Sequence, residues 1–254
     1  MMAPKWEEAQ KNERRFWASI YREKRQDVTS YMPVTDETAF AFSKKSVERF
    51  GHGLEAIREG VIADVGCGPY GLIRGFHVHA QRSGCRPKRM YGIDSLMDTY
   101  LEFGTPPAAN YIEYITAKAE AIPLEDGLCT SVYSTNVIDH VERPGRVLSE
   151  CRRIVAEGGN LFFAVHTISF PFSLLGGVLF LIDRNHPHHF SSGRIRRMAS
   201  RYFDEVTLTQ KVSLREDHPE FTLAAAFQST GRLRALKRWA STLVMSTCYF
   251  KCSH

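Results

Sequence analysis

The chain has 254 residues, of which 43% are hydrophobic and 24% are charged, and its formal net charge is +5. These values are ordinary for a soluble globular protein, and the mild positive charge permits an anionic partner without requiring one. The six cysteines form no C-x-x-C pair, which argues against a disulfide scaffold and favours reduced thiols in the cytoplasm.

Two helical regions are predicted ahead of the first strand. Over residues 5–27 apolar side chains recur at helical spacing, as in the pair Phe16 and Ile20 four positions apart. A second helix is predicted over 43–58. We therefore predict an N-terminal helical region over 1–58.

Strands and helices alternate through the core. The predicted strands cover 61–65, 89–93, 111–115, 130–135, 160–165, 205–211 and 221–227, and the predicted helices cover 71–83, 95–102, 144–156 and 191–202. This alternation is typical of an α/β fold in which helices cover both faces of a mostly parallel sheet. We predict a core domain over 59–228 and a C-terminal extension over 229–254.

A glycine-rich turn after the first predicted strand is the most informative stretch. The strand reaches Asp64, and Gly66, Gly68 and Gly71 follow before the next helix. Glycine lets the backbone approach a ligand closely because it has no Cβ and tolerates positive φ. Asp94 ends the second strand, roughly 20–25 residues past the glycines, where an acid can bind ribose hydroxyls. The glycine spacing also fits the nicotinamide fingerprint G-x-G-x-x-G, so the turn alone leaves the cofactor open.

Three further segments carry a family resemblance, and they cover 119–124, 134–141 and 153–163. Together with the turn they form four ordered motifs that resemble those of the class I methyltransferases that use S-adenosylmethionine (SAM). The family has an acid followed by G-x-G-x-G, whereas the last glycine of this chain, Gly71, is displaced. The resemblance implies a Rossmann-like, seven-stranded sheet with an antiparallel last strand, an N-terminal helical cap and SAM as cofactor. A nicotinamide dehydrogenase is disfavoured, because the first two segments would then have no role.

The resemblance also implies roles for individual residues. The turn backbone is expected to contact the amino-acid portion of SAM. Asp64 is expected to bind the ammonium group of SAM, directly or through water, and Asp94 is expected to accept hydrogen bonds from both ribose hydroxyls. Lys118 stands at the position where many members of the family have an acidic residue that contacts the adenine amino group. In this chain we expect Glu120 or the backbone of Ala119 to make that contact. The expected cofactor-binding residues are Asp64, Gly66, Cys67, Gly68, Asp94, Ala119, Glu120 and Asn136.

Histidines are the candidates for contacting the methyl acceptor. His166 ends the fifth predicted strand at the ligand-binding edge of the sheet and is the first choice as a base, and His140 is the second. The apolar run 168–182 is too short for a membrane span, which needs about 20 residues, and it predicts a lid or insertion over 168–190. The expected substrate-binding residues are His186, His188 and His189, and no metal site is predicted.

The predicted reaction is methyl transfer from SAM to an oxygen or nitrogen atom of a small biosynthetic intermediate, such as a sugar, a polyketide or an amino acid. One alternative is RNA methylation, which the arginine-rich segments 194–197 and 232–238 motivate, although both are more simply helix surfaces. The other is a catalytically silent partner subunit that uses 168–182 as its interface. Whether the chain forms a homodimer stays open.

Overall fold

The computed structural model of the protein describes residues 10–15, 17–19, 35–102, 108–169, 188–217 and 241–253. The helices are α1 (Asp36–Arg49), α2 (Leu72–Ser83), α3 (Met97–Glu102), α4 (Pro144–Ile154), α5 (Ser192–Ala199) and α6 (Leu214–Asp217), with a 3₁₀ turn at Leu54–Ile57. The strands are β1 (Val61–Val65), β2 (Arg89–Asp94), β3 (Ile112–Thr116), β4 (Cys129–Thr135), β5 (Val155–Ile168), β6 (Glu205–Ser213) and β7 (Met245–Ser253).

The strands form one seven-stranded sheet in the order β3-β2-β1-β4-β5-β7-β6. Strands β1 to β5 pair in parallel, whereas β7 is antiparallel to both β5 and β6. This architecture confirms the predicted Rossmann-like, mostly parallel α/β fold. The chain moves outward from β1 to β3 and resumes on the other side of β1 with β4. In open α/β sheets, ligands bind at such a switch point, beyond the carboxyl ends of the strands.

The C-terminal strand differs from the prediction. The segment predicted as the seventh strand, 221–227, lies outside the described residues. The strand that completes the sheet is Met245–Ser253, which the prediction assigned to an extension over 229–254. Its Cys248 and Cys252 side chains are fully buried, so this part of the chain belongs to the core rather than to a tail.

The N-terminal helical region is also organised differently from the prediction. Helix α1 begins earlier than predicted, because Thr35 and Thr38 form a capping box at its start. Instead of one helix over 43–58, the chain forms α1 and then the separate 3₁₀ turn. Residues 10–15 and 17–19 are helical, as predicted, and the rest of that first predicted helix lies outside the described residues.

Helix α1 packs closely against α2 because a glycine stands at the contact. A Cβ on Gly75 would lie 2.2 Å from Ser43 Oγ and 2.3 Å from the carbonyl oxygen of Ala39. The Ser43 hydroxyl donates a hydrogen bond to the carbonyl of Leu72 at 3.1 Å. These contacts fix α1 where its side chains can form a wall of the cavity described below.

Apolar clusters cover both faces of the sheet. Leu148 of α4 and Ile195 of α5 belong to the cluster on one face, and Phe76 of α2 belongs to the cluster on the other. Along β4, Val132 joins the first cluster and Tyr133 the second, as the alternation of side chains along a strand requires. The sheet is therefore buried on both sides, and its carboxyl edge is left as the place for a ligand.

The predicted lid is described only at its two ends. Residues 170–187, including His186, lie outside the described residues. The amide of Ile168 donates to the carbonyl of Phe190 at 2.8 Å, so the two described ends of this segment meet beside β5. Within the described part of the chain, no helix is long and apolar enough to cross a membrane.

Candidate functional site

The glycine-rich turn adopts a conformation that depends on its glycines. Gly66 and Gly68 have φ values of 72° and 56°, in the left-handed region that favours glycine. A Cβ on Gly66 would lie 2.2 Å from Val137 Cγ2, so the turn packs directly against the loop after β4. A Cβ on Gly68 would meet no described atom within 4 Å, so a ligand has room to lie against its backbone.

Asp64 supports this turn from beneath. Its side chain is fully buried, and Oδ2 accepts a hydrogen bond from the amide of Leu72, at the start of α2, at 2.8 Å. A Cβ on Gly71 would lie 2.5 Å from the same oxygen, so the displaced glycine of the motif makes room for the carboxylate. Oδ1 is buried and has no hydrogen-bond partner among the described residues. Burial raises the pKa of Asp64 to about 7, although the amides of α2 oppose the shift.

Asp94 connects the end of β2 to the turn. Its Oδ2 accepts a hydrogen bond from the Gly68 amide at 2.9 Å, and its Oδ1 accepts one from the Leu96 amide at 2.8 Å. Burial raises the pKa of Asp94, whereas the two amides act to lower it. Each carboxylate oxygen has two lone pairs, so the group can accept further hydrogen bonds from a ligand. Asp94 lines the cavity, as a ribose-binding acid must.

The segments predicted to flank the adenine and the methionine portion reach the same cavity. Lys118, Ala119, Glu120 and Asn136 all line it. The Glu120 carboxylate, however, accepts hydrogen bonds through Oε1 from the backbone amides of residues 142 and 143, at 2.9 and 3.1 Å. Glu120 therefore holds the start of α4, which leaves the Ala119 backbone better placed to contact an adenine. Asn136 has a φ of 58°, and its amide donates to the Ala164 carbonyl of β5 at 2.9 Å.

The two histidines predicted as catalytic both line the cavity. His166 lies opposite Thr247 in the pairing of β5 with β7, and a hydrogen bond of 3.2 Å joins His166 Nδ1 to Thr247 Oγ1. His140 lies in the loop after β4, and its amide donates to the Val137 carbonyl at 2.8 Å. The structure thus brings both imidazoles to one site, but a hydroxyl from β7 orients His166.

The histidines predicted to bind substrate are placed differently. His188 Nε2 lies 3.0 Å from the Val141 carbonyl oxygen, and its ring stacks on Phe190 at a centroid distance of 5.9 Å. The backbone amide of His188 also donates to the Asp139 carbonyl at 3.3 Å. His188 therefore ties its segment to the loop after β4. His189 is half-buried beside it.

The cavity has a volume of about 770 Å³ and extends well past the predicted residues. This volume falls within the range of roughly 300–1,000 Å³ that is usual for small-molecule sites. Beyond His166 it is lined by residues that the sequence analysis did not single out, namely Lys45, Arg49, Asp217, Thr247 and Tyr249. They come from α1, α6 and β7. The four-residue spacing of Lys45 and Arg49 places both side chains on one face of a helix, but nothing in the sequence indicates that this face lines the cavity.

Comparisons with known proteins agree with this geometry. The sequence profile of the family described as "Methyltransferase domain" matches residues 63–163. No curated protein sequence matches the chain significantly.

Solved methyltransferase structures share the fold. A phosphoethanolamine N-methyltransferase of Haemonchus contortus has a TM-score of 0.59 at 15% identity, covering 86% of this chain and 57% of its own. A geranyl diphosphate C-methyltransferase of Streptomyces coelicolor has a TM-score of 0.59 at 14% identity, covering 84% and 76%. A chain in the Haloferax volcanii complex between the Trm112 methyltransferase activator and a methyltransferase has a TM-score of 0.56 at 14% identity. The match covers 86% of this chain and 94% of that chain.

Proposed function

We propose a specific reaction for this chain, which carries a class I SAM-dependent methyltransferase domain with SAM as its cofactor. In this reaction the methyl group is transferred to an oxygen or nitrogen atom of a small molecule. The observation that carries the proposal is one continuous cavity, which joins the glycine turn and Asp94 to His166 and Thr247. Donor and acceptor can therefore meet inside a single site.

The residues at one end of the cavity fit SAM. Open space lies against the Gly68 backbone, Asp94 keeps lone pairs for the ribose hydroxyls, and the Ala119 backbone lies on the adenine side. We expect Asn136 to contact the methionine portion. Asp64 acts mainly by positioning, because it holds the turn and the start of α2 from below. When bound, SAM supplies an electrophilic methyl group on a sulfonium cation.

Cys67 lies within the turn and lines the cavity that would hold SAM. Its side chain is buried, and burial raises the pKa of its thiol well above the ordinary value, with further increases from Asp64 and Asp94. The thiolate, not the thiol, is the reactive nucleophile. Cys67 therefore stays protonated and does not compete with the acceptor for the methyl group.

His166 is the residue best placed to accept a proton from the acceptor. When Nδ1 carries the ring proton, it donates a hydrogen bond to the Thr247 hydroxyl. In this tautomer Nε2 is unprotonated and has the chemistry of a hydrogen-bond acceptor. A neutral imidazole in this tautomer can remove the proton of a hydroxyl as the bond to carbon forms, or the proton of an ammonium group before its nitrogen attacks the methyl carbon. The rest of the catalysis comes from positioning. The site would hold the acceptor atom about 3 Å from the methyl carbon, in line with the carbon–sulfur bond that breaks.

The described arginines that motivated RNA methylation make local contacts in α5. In α5, Arg196 and Arg197 donate to backbone carbonyl oxygens of nearby residues at 3.1 and 3.3 Å, and Arg194 lies over the Phe190 ring at 5.6 Å. The second arginine-rich segment, 232–238, lies outside the described residues. The cavity volume of about 770 Å³ and the intact turn favour a small acceptor and an active enzyme over RNA methylation and over a silent subunit.

A labelling experiment tests the proposal. Methyl-labelled SAM is incubated with the protein and fractionated pools of small molecules or RNA, with Asp94→Ala as the inactive control. We expect label in low-molecular-weight products of the wild-type protein. Label confined to RNA, or SAM binding with no transfer to any pool, would contradict the proposed reaction.

A further inference from the structure

The end of the cavity beyond His166 contains an arginine held in a defined orientation. Arg49, at the end of α1, donates from Nη1 to the Tyr249 hydroxyl at 2.7 Å and from Nη2 to Asp217 Oδ1. Its Cζ atom lies 5.2 Å from the centroid of the Tyr249 ring, and its side chain is only 13% exposed. A guanidinium with its geometry fixed in this way is preorganised for a planar or tetrahedral anion.

This end of the cavity carries an excess of positive charge. Lys45 lies one helical turn before Arg49, and its Nζ is 3.4 Å from the same Asp217 oxygen. Two cations therefore share one carboxylate. Burial acts to lower the pKa of Arg49, but its contacts with Asp217 and Tyr249 raise it overall, so the guanidinium stays charged. The acids at the other end, Asp94 and Glu120, accept hydrogen bonds from backbone amides.

The sheet register places the partners of this charge and of the proposed base on one side of β7. Thr247 pairs with His166, and Tyr249 pairs with Ala164, so Thr247 and Tyr249 lie on the same side of β7. Arg49 bonds to the second of these side chains and His166 to the first, so both groups face the same part of the cavity.

We infer that the methyl acceptor carries an anionic group, a carboxylate or a phosphate, bound by Arg49 and the Tyr249 hydroxyl. Lys45, which is largely exposed, stands at the mouth and attracts the same charge. The methyl-accepting atom lies beside His166, in the same part of the cavity. This inference rests on the proposed function for the identity of the second ligand, but the anion site itself is defined by Arg49, Lys45 and Tyr249.

The test uses two simple anions as probes. Inorganic phosphate and benzoate are each titrated by calorimetry into the full-length protein saturated with S-adenosylhomocysteine, at an ionic strength kept constant with chloride. The variants are Lys45→Gln, which changes an exposed side chain, and the double variant Arg49→Met with Asp217→Asn, which avoids a buried unpaired charge. The control is Arg89→Met, because Arg89 forms an ion pair with Glu113 on β3 at 2.6 Å.

We expect at least one probe to bind saturably to the wild-type and Arg89→Met proteins, and the tighter probe identifies the anion as phosphate or carboxylate. Affinity should fall by about tenfold or more in the double variant, the order expected for losing charge-assisted hydrogen bonds, and by less in Lys45→Gln. Absence of saturable binding by both probes, or equal binding by the double variant, overturns the inference. A protein that binds a probe at this site but not SAM would refute the proposed function alone.

Discussion

Replacement of Asp94 by alanine tests how the protein holds its cofactor. The carboxylate bonds to the amides of Gly68 and Leu96 and is expected to accept two more hydrogen bonds from the ribose. A hydrogen bond to a charged group contributes roughly 1.5–3 kcal/mol, so the two ribose bonds contribute roughly 3–6 kcal/mol together. Because roughly 1.4 kcal/mol is a factor of ten, SAM affinity should fall by about 10²- to 10⁴-fold if the two contributions add. It should fall at least about tenfold if they do not.

The assay is calorimetric titration of SAM into wild-type protein and into Asp94→Ala, after thermal melts have shown that both are folded. Asp98→Ala is the matched control. Asp98 is a nearby acid on α3 whose Oδ1 accepts a hydrogen bond from Thr116 Oγ1 at 2.6 Å. A folded Asp94→Ala protein with wild-type affinity would refute the ribose assignment. An equal loss in Asp98→Ala would show that the effect comes from local charge rather than from a direct contact.

Three further predictions concern the base, the buried acid and the helical wall. His166→Asn should lower turnover by about 10²–10⁴-fold with SAM affinity nearly intact, whereas His140→Asn should affect folding or cofactor binding as much as rate; the reverse pattern would exchange their roles. The pKa of Asp64 in the folded protein, about 7, lies above its ordinary value, so the folded state binds the extra proton. The contribution of Asp64 to the free energy of unfolding should therefore decrease as pH rises from about 4 to about 7. Chemical denaturation should show that the free energy of unfolding decreases less over this range in Asp64→Asn than in the wild-type protein. Parallel pH profiles of the two proteins would contradict this. Gly75→Ala should lower the melting temperature by displacing α1, whereas Gly193→Ala, whose Cβ would meet no described atom within 4 Å, should not; equal melting temperatures would exclude close packing at Gly75.

The parts of the site that the sequence predicted have strong local patterns. The turn after β1 needs glycines for its positive φ angles, and the acid at the end of β2 follows from the length of one βαβ unit. Both features are determined within a short stretch of chain. The structure joins them by the hydrogen bond from the Gly68 amide to Asp94, which is consistent with the predicted cofactor site.

The final strand could not be placed from local pattern alone. Residues 245–253 contain apolar and aromatic residues, but only pairing with β5 and β6, far away in sequence, makes them an inner strand of the sheet. Tyr249 and Thr247 were missed for this reason. Propensity describes how well a segment suits a sheet, not which neighbours it finds. Arg49 was missed because its importance depends on contacts with Asp217 and Tyr249, which only the folded chain provides.

The start of α1 is marked in the sequence by a capping signal that the predicted helix did not take into account. Thr35 and Thr38 stand three positions apart, and each hydroxyl bonds to the backbone amide of the other. This arrangement resembles the usual capping box, in which a glutamate or glutamine stands at the second position. A threonine there performs the same function here, so the helix begins before the apolar pattern that was used to locate it.

A crystal structure of the protein with S-adenosylhomocysteine bound tests the proposed site most directly. We expect both ribose hydroxyls to bond to Asp94 and the adenine to lie beside Ala119. The sulfur atom should face the part of the cavity lined by His166, Thr247 and Arg49. A nucleoside bound away from Asp94, or a sulfur that faces away from His166, would contradict the proposed arrangement of donor and acceptor.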